Sequence, residues 1–338
     1  MNKFLSLTSK DKRAYFEVAA ANLNIMPQLV EKDFWVCWIL KVIFSLPELG
    51  GHLTFKGGTS LSKCYNAIRR FSEDVDISIE RSFLSSSKSI EPDKGQSNTE
   101  NQKRVKELQL LCKTKIDEII VPNLRKAIML TLPDIEEWKL ELDSKDLDGQ
   151  TVLFTFPHAI KNDESYVKSF VKLEFGARAD HWPIETLSIV PYIANFFKEH
   201  VIEEVPLRVL AAERTFWEKA TILHMIYHYP LGKDVPLRLS RHYYDIYAMA
   251  DLPIFKRALD SISLLKHVAD HKALFFKATW AHYEEATPSH LRIVPREDQV
   301  KELAGDYRQM RQMFFEEPPS FEQIIERLRG IEKEINRT

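Results

Sequence analysis

Asp74-Val75-Asp76-Ile77 alternates acid and aliphatic residues, and such a stretch has few ways to fold. Period two is the strand period, in which residues i and i+2 point to one face. Asp74 and Asp76 are therefore expected to project together, with Val75 and Ile77 turned to a core. Two carboxylates held side by side repel each other unless a cation lies between them. Hard oxygen ligands of this kind suit Mg²⁺, which commonly arrives with phosphates. The preceding residues offer a place for those phosphates. Leu53 to Phe55 reads as a strand end, Gly57-Gly58 as a turn, and Thr59-Ser60 as a helix start. Leu61, Cys64, Tyr65 and Ile68 then recur at helical spacing. Glycine is scarce, with 10 in 338 residues, so an adjacent pair is a selective use of it. The turn's N–H groups at a helix start make an anion site. A metal anchor and a phosphate cradle in one short stretch are the parts that nucleotidyl transfer needs.

Length suggests two domains of roughly 150 residues each. The net charge of −2 gives no global attraction to nucleic acid, so any such contact must be a local patch. Cys37, Cys64 and Cys112 form no C-x-x-C, which fits a reduced cytoplasmic protein with buried thiols. The N-terminal apolar run is too short for a signal peptide. No stretch approaches the ~20 apolar residues of a membrane span.

The fold class expected is α+β: a mixed sheet flanked by helices over 1–205, then an all-α domain over 206–338. Helices are expected over 9–24, with Ser9 or Asp11 as cap, and over 27–46. The second is largely apolar, but Glu31-Lys32-Asp33 interrupts it. Either these charges form a solvated first-turn face, or one of them reaches a nucleotide. Residues 82–104 are polar and aperiodic, and are expected to be a flexible loop. Helical spacing returns over 104–131. Strands are expected within 138–156 and 165–178, with a further short one at 184–192. From Pro206 the chain reads as helical: 207–229, 241–252, 254–270, 272–284, 297–316 and 320–336.

A phosphoryl-transfer site also needs a third carboxylate and a cation. Glu174 is the best third acid, since it stands on the non-core face of an apolar strand; Asp163 and Asp180 are weaker alternatives. Lys219, on the helix bearing Arg214 and Glu218, is the candidate cation. Arg214 and Glu218 are four apart and suit a surface pair. Asp245 lies inside a helix, where aspartate has poor propensity, so a partner such as Lys219 or Arg241 is expected. Lys63, Arg69 and Arg70 would extend a phosphate-binding surface. His224 and His228 have ligand spacing, but no H-E-x-x-H accompanies them, so the zinc signal is weak.

Phe55-Lys-Gly-Gly-Thr-Ser-Leu, together with Arg70-Phe-Ser-Glu-Asp-Val-Asp76, resembles the AbiEii/AbiGii-type nucleotidyltransferase toxins of the DNA polymerase β-like superfamily. Val30-Glu-Lys-Asp-Phe-Trp-Val36 is similar to the helix that precedes this motif. Ala212-Glu-Arg-Thr-Phe-Trp-Glu-Lys219 and Arg241-His-Tyr-Tyr-Asp245 are similar to the family's later motifs. The resemblance covers roughly 27–250. It implies a minimal polymerase-like palm using Mg²⁺, or Mn²⁺ in its place, and an NTP. The metal falls to Asp74 and Asp76, the nucleotide to Lys56, Gly57, Gly58, Thr59, Ser60 and Lys219, and catalysis to Asp74, Asp76, Glu174, Lys219 and Asp245. Thr59-Ser60 stands where the superfamily has a single Ser, which leaves open which hydroxyl serves. The resemblance further implies a toxin acting on an RNA acceptor such as tRNA, with a cognate antitoxin encoded nearby, and a monomer is expected. Transfer to a protein or small-molecule hydroxyl, and NTP binding without turnover, are the alternatives.

Overall fold

Burial along β2 (Asp74–Ile79) alternates at its start, with Asp74 and Asp76 half-buried and Val75 and Ile77 buried. The same alternation runs through β5 (Val171–Gly176). These strands lie in one sheet. The computed structural model describes residues 1–85, 91–93, 95–132, 137–160, 168–197 and 204–337. Among them, seven strands are ordered β3-β4-β5-β2-β1-β7-β6, with β1 Leu53–Lys56, β3 Lys139–Leu142, β4 Thr151–Thr155, β6 Ile184–Ile189 and β7 Val205–Leu210. The sheet is mixed: β1 is antiparallel to β2 and parallel to β7, β2 is parallel to β5, and β4 is antiparallel to both β3 and β5.

The chain forms two units that are not one simple cut. The first contains Met1–Cys64, Phe71–Glu91 and Arg104–Val209; the second contains Tyr65–Arg70, Pro92–Lys103 and Leu210–Thr338. In the first, α1 (Asn2–Leu5), α2 (Ser9–Leu23) and α3 (Pro27–Phe44) precede the sheet. The cap of α2 is Thr8, whose side chain accepts the Asp11 N–H, rather than Ser9 or Asp11. Trp38 of α3 stacks on Phe154 of β4, and Trp35 stacks on Phe156. Helix α3 is buried on nearly every side, the condition of a core helix.

Helix α4 (Gly57–Lys63) is shorter than the spacing of Leu61, Cys64, Tyr65 and Ile68 implies. Asn66 takes a left-handed conformation (φ 48°), which stops the helix. After α5 (Arg81–Leu84), part of the expected 82–104 loop lies outside the described residues, at 86–90 and 94. The rest is more ordered than its polarity suggests, because α6 (Asn98–Lys115) begins within it. Buried Asn101 exchanges hydrogen bonds with the Asp93 backbone, donating to its C=O at 2.8 Å and accepting its N–H at 2.9 Å. A π-helical turn at Ile116–Ile120 leads from α6 into α7 (Val121–Thr131).

The expected helix at 207–229 is corrected at its start. Residues 205–210 form strand β7, with Val205, Leu207 and Val209 buried and Pro206 exposed, a period of two that the following helix masks. The helix proper is α8 (Ala212–Tyr227). In the second unit α9 (Ser240–Met249), α10 (Pro253–Asp260) and α11 (Ser263–Phe275) pack on α8. Of the expected 272–284 helix, the first residues to Phe275 close α11 and the remainder holds two 3₁₀ turns, with His282 left-handed at φ 49° between them. Helix α12 (Glu297–Gln309) stops short of 316. In α13 (Phe321–Ile335), Ser320 and Gln323 form the capping box, and Ile324, Leu328, Ile331 and Ile335 face inward.

His224 is buried in α8 as a neutral ring. Its Nε2–H donates to the His282 carbonyl (3.0 Å) and its Nδ1 accepts the Arg292 N–H (3.1 Å), so a second proton has no place. Burial accordingly pushes its pKa down to about 4. The unfolded imidazole takes up a proton near pH 6.5 and the folded one near 4, so stability present above 6.5 is lost as the pH falls through that window. Urea unfolding at pH 7.5 and 4.5 should show a loss on the order of 2 kcal/mol attributable to this residue. A His224→Gln variant, read against wild type, should lose that pH dependence.

Candidate active site

Register brings the expected acids together. Asp76 of β2 lies opposite Glu174 of β5 on one side and Lys56 of β1 on the other; Asp74 lies opposite Lys172. Paired residues share a face, so these five side chains stand on one side of the sheet. Lys172 donates from Nζ to the Glu174 carboxylate. Burial would lower the Lys172 pKa, but Glu174, Asp74 and Asp143 outweigh it and raise the pKa. The cations make the carboxylate row tolerable and leave both aspartates half-exposed.

The glycine turn is built against this row. Gly57 has φ 81°, and a Cβ on it would meet Asp76 Oδ2 at 1.9 Å. Only glycine combines that conformation with that approach. Gly58 follows as the second residue of α4. Thr59 and Ser60 are buried, and both hydroxyls serve the backbone. Thr59 donates to the carbonyl of Asp74, with Ser72 O at 3.3 Å, and Ser60 donates to Gly57 O at 2.9 Å. Thr59 thus ties the turn to the aspartate strand. A Gly57→Ala substitution should displace the Asp76 carboxylate and cost about 1–3 kcal/mol from left-handed strain and overpacking. Thermal melting and a transfer assay should show a folded but impaired protein.

The Glu31-Lys32-Asp33 triplet is not a solvated face. All three residues are at most 2% exposed. Glu31 accepts the Ala159 N–H at 2.6 Å. Lys32 pairs with Glu73 at 2.9 Å, next to Asp74, and donates to the Lys168 carbonyl at 3.1 Å. Asp33 pairs with Lys63 at 2.7 Å and accepts the Tyr192 N–H at 2.6 Å. So α3 grips both flanks of the glycine–aspartate stretch, at Lys63 and at Glu73. Lys63 is therefore withdrawn from the expected phosphate surface. Burial would lower its pKa, but Asp33 outweighs that and keeps it cationic.

The second unit holds Arg69, Arg70, Lys219 and Asp245. Asp245 is fully buried and receives a two-pronged contact from Arg70, Nε to Oδ1 and Nη2 to Oδ2, each 2.8 Å. Lys219 Nζ lies 2.7 Å from the same carboxylate, and His242 Nδ1 lies 3.5 Å from Lys219. Lys219 is the partner expected for Asp245, whereas Arg70 is a second one that no local pattern announces. Burial would raise the Asp245 pKa, yet Arg70 and Lys219 hold it well below the usual carboxylate range. For Lys219 burial dominates and lowers the pKa, opposed by Asp245. Arg70 is thus removed from the phosphate surface, whereas Arg69 remains exposed, 3.8 Å from Glu316. Arg214 does contact Glu218 (3.4 Å), but its side chain is fully buried, so this is no surface pair. Asp180 accepts the His181 N–H at 3.2 Å, and Asp163 lies outside the described residues.

Among the described residues, no group of three or more His, Cys, Asp or Glu is gathered to hold a metal by itself. A pair of carboxylates completed by phosphate oxygens is the usual Mg²⁺ arrangement, and Asp74 with Asp76 fits it. Both ring nitrogens of His224 are engaged, which answers the zinc reading.

The chain is a nucleotidyltransferase by family. The profile of the family described as "Nucleotidyl transferase AbiEii toxin, Type IV TA system" matches residues 38–327, and the chain belongs to that family. No curated protein matches it. Among solved structures it is similar to MenT4, a nucleotidyltransferase toxin from Mycobacterium tuberculosis H37Rv, at 17% identity and TM-score 0.46, covering 95% of this chain and 97% of that one. No helix among the described residues is long and apolar enough to cross a membrane.

Proposed function

We propose that this nucleotidyltransferase moves NMP from an NTP to the hydroxyl of an RNA acceptor, tRNA foremost, and releases pyrophosphate. The observation that carries this reading is the row Lys56–Asp76–Glu174, with Gly57 seated on the Asp76 carboxylate. Asp74 and Asp76 would hold Mg²⁺, or Mn²⁺ in its place, which when bound supplies charge neutralisation for the triphosphate. The Gly57-Gly58 turn binds phosphate through its backbone, since the Thr59 and Ser60 hydroxyls are engaged elsewhere. Lys56 adds a cation beside Asp76. The acceptor oxygen bonds to the α-phosphorus as the α–β bridging P–O bond breaks, and Glu174 takes the acceptor's proton. Lys219 and Asp245, which pair at 2.7 Å, take their catalytic roles from the resemblance to the family's later motifs. The chain works in the cytoplasm as a monomer, beside an antitoxin encoded with it.

The test is to incubate a cell lysate with the protein and each α-³²P-NTP in turn. Label should enter RNA of tRNA size with one preferred nucleotide, and EDTA should stop it. Label in protein or in small molecules instead would overturn the RNA acceptor and leave the transfer chemistry standing.

A further inference from the structure

A cavity of about 500 Å³ opens beside the carboxylate row, lined by Glu174 and Lys172 of β5, by Phe170 and Lys168 just before it, and by the β3–β4 connection with Lys145. We propose that this cavity is the acceptor subsite, and that it takes the 3′-terminal nucleotide of a single-stranded RNA end, with the base on Phe170 and the adjoining phosphates on Lys145 and Lys168. The inference rests on the transfer reading above and specifies where its second substrate sits.

The lining mixes acids with the lysines that would meet the phosphates. Three aspartates also line the cavity, but each is occupied by protein. Asp143 Oδ1 accepts the Lys145 N–H at 2.9 Å. Asp146 accepts the N–H groups of Asp148 (3.0 Å) and Gln150 (2.8 Å). Asp148 accepts from Gln109 (3.1 Å) and faces Arg178 at 3.5 Å. The acids shape the hairpin, while Lys145 and Lys168 are exposed. Phe170 is half-exposed, with the buried Lys32 ammonium 5.9 Å and the exposed Lys168 ammonium 5.7 Å from its centroid. A base stacking on the ring takes the place of Lys168 there and frees that lysine for the next phosphate. Aromatic stacking with flanking cations is how proteins hold unpaired nucleotides. A protein hydroxyl would use neither the ring nor a run of cations. Glu174 belongs to the cavity and to the row with Asp76, so a terminal hydroxyl in the cavity meets the acid proposed to take its proton.

Two measurements test this on the full-length protein. In the first, 5′-fluorescein RNA with a free 3′ end is titrated against wild type, Phe170→Ala and Lys145→Glu/Lys168→Glu by anisotropy, and NTP affinity is measured separately as a check on the donor side. Affinity for RNA should fall roughly tenfold or more in each variant while NTP affinity is kept. In the second, the RNA 3′ diol is oxidised with periodate to a dialdehyde, which condenses with a nearby lysine amine, loses water and is reduced by borohydride. Peptide mapping should place the cross-link on Lys145, Lys168 or Lys172. Unchanged RNA affinity in both variants, or cross-links only elsewhere, overturns the subsite, and persistent ³²P transfer to RNA in those variants would show that the transfer reading survives it. Failure of wild type to bind RNA also overturns the subsite; label then entering another acceptor keeps the transferase reading, and no label anywhere sinks both.

Discussion

Asp76→Asn and Asp74→Asn are each expected to lower nucleotidyl transfer by roughly 10³-fold, because each removes one of two formal charges that would bind the metal, a loss of several kcal/mol in the transition state. The fold should hardly respond. Both side chains are half-exposed, and the cations across from them, Lys56 and Lys172, are also only partly buried. Losing such a pairing costs about 1 kcal/mol or less. Single-turnover transfer and thermal melting on the same preparations separate the two effects. Transfer at the wild-type rate in either variant would remove that aspartate from the metal site. Gly57→Ala provides the internal comparison: it keeps both carboxylates but alters the position of one, so its transfer defect should be smaller and its melting defect larger than those of Asp76→Asn.

Local periodicity makes much of this legible. The alternation of 74–77 and of 171–175 is enough to put Asp74, Asp76 and Glu174 on non-core faces, and the mixed sheet with flanking helices and a helical C-terminal region is as expected. Most of the failures are of one kind. The solvated-face alternative for Glu31-Lys32-Asp33 rests on the general rule that charges stay outside. The triplet's burial depends on Glu73, Lys63 and the 159–160 backbone, partners that lie 30 to 129 residues away in sequence. Arg70 looks like a phosphate ligand until Asp245, 175 residues later, is placed against it. Residues 205–210 merge with the following helix in the pattern because their period of two is short and runs directly into the helical one. Alternation identifies a face, but only register tells which residue of a neighbouring strand stands opposite. That is why the pairing of Lys56 with Asp76 has no local signal.

Asp245→Asn should be the most destabilising single change in the second unit. It leaves Arg70 and Lys219 buried with no counter-charge, and breaking such a contact costs about 3–5 kcal/mol. Urea midpoints report this directly. The Asp245 pKa is held low in the folded state, so the carboxylate contributes stability above its unfolded pKa and loses it only as the pH falls through the lower folded value. The deficit of the variant should therefore stay nearly constant from neutral pH down to about 4. Adding Lys219→Met to Asp245→Asn removes one stranded cation and should restore part of the loss. Lys219→Met alone is the informative member of the cycle. It leaves Asp245 matched by the Arg70 fork, so its own cost should be near 1–2 kcal/mol. If Lys219 serves the triphosphate, this variant stays folded and loses transfer. If it serves only to neutralise Asp245, transfer follows stability across all three variants, and the lysine belongs to the architecture and not to the chemistry.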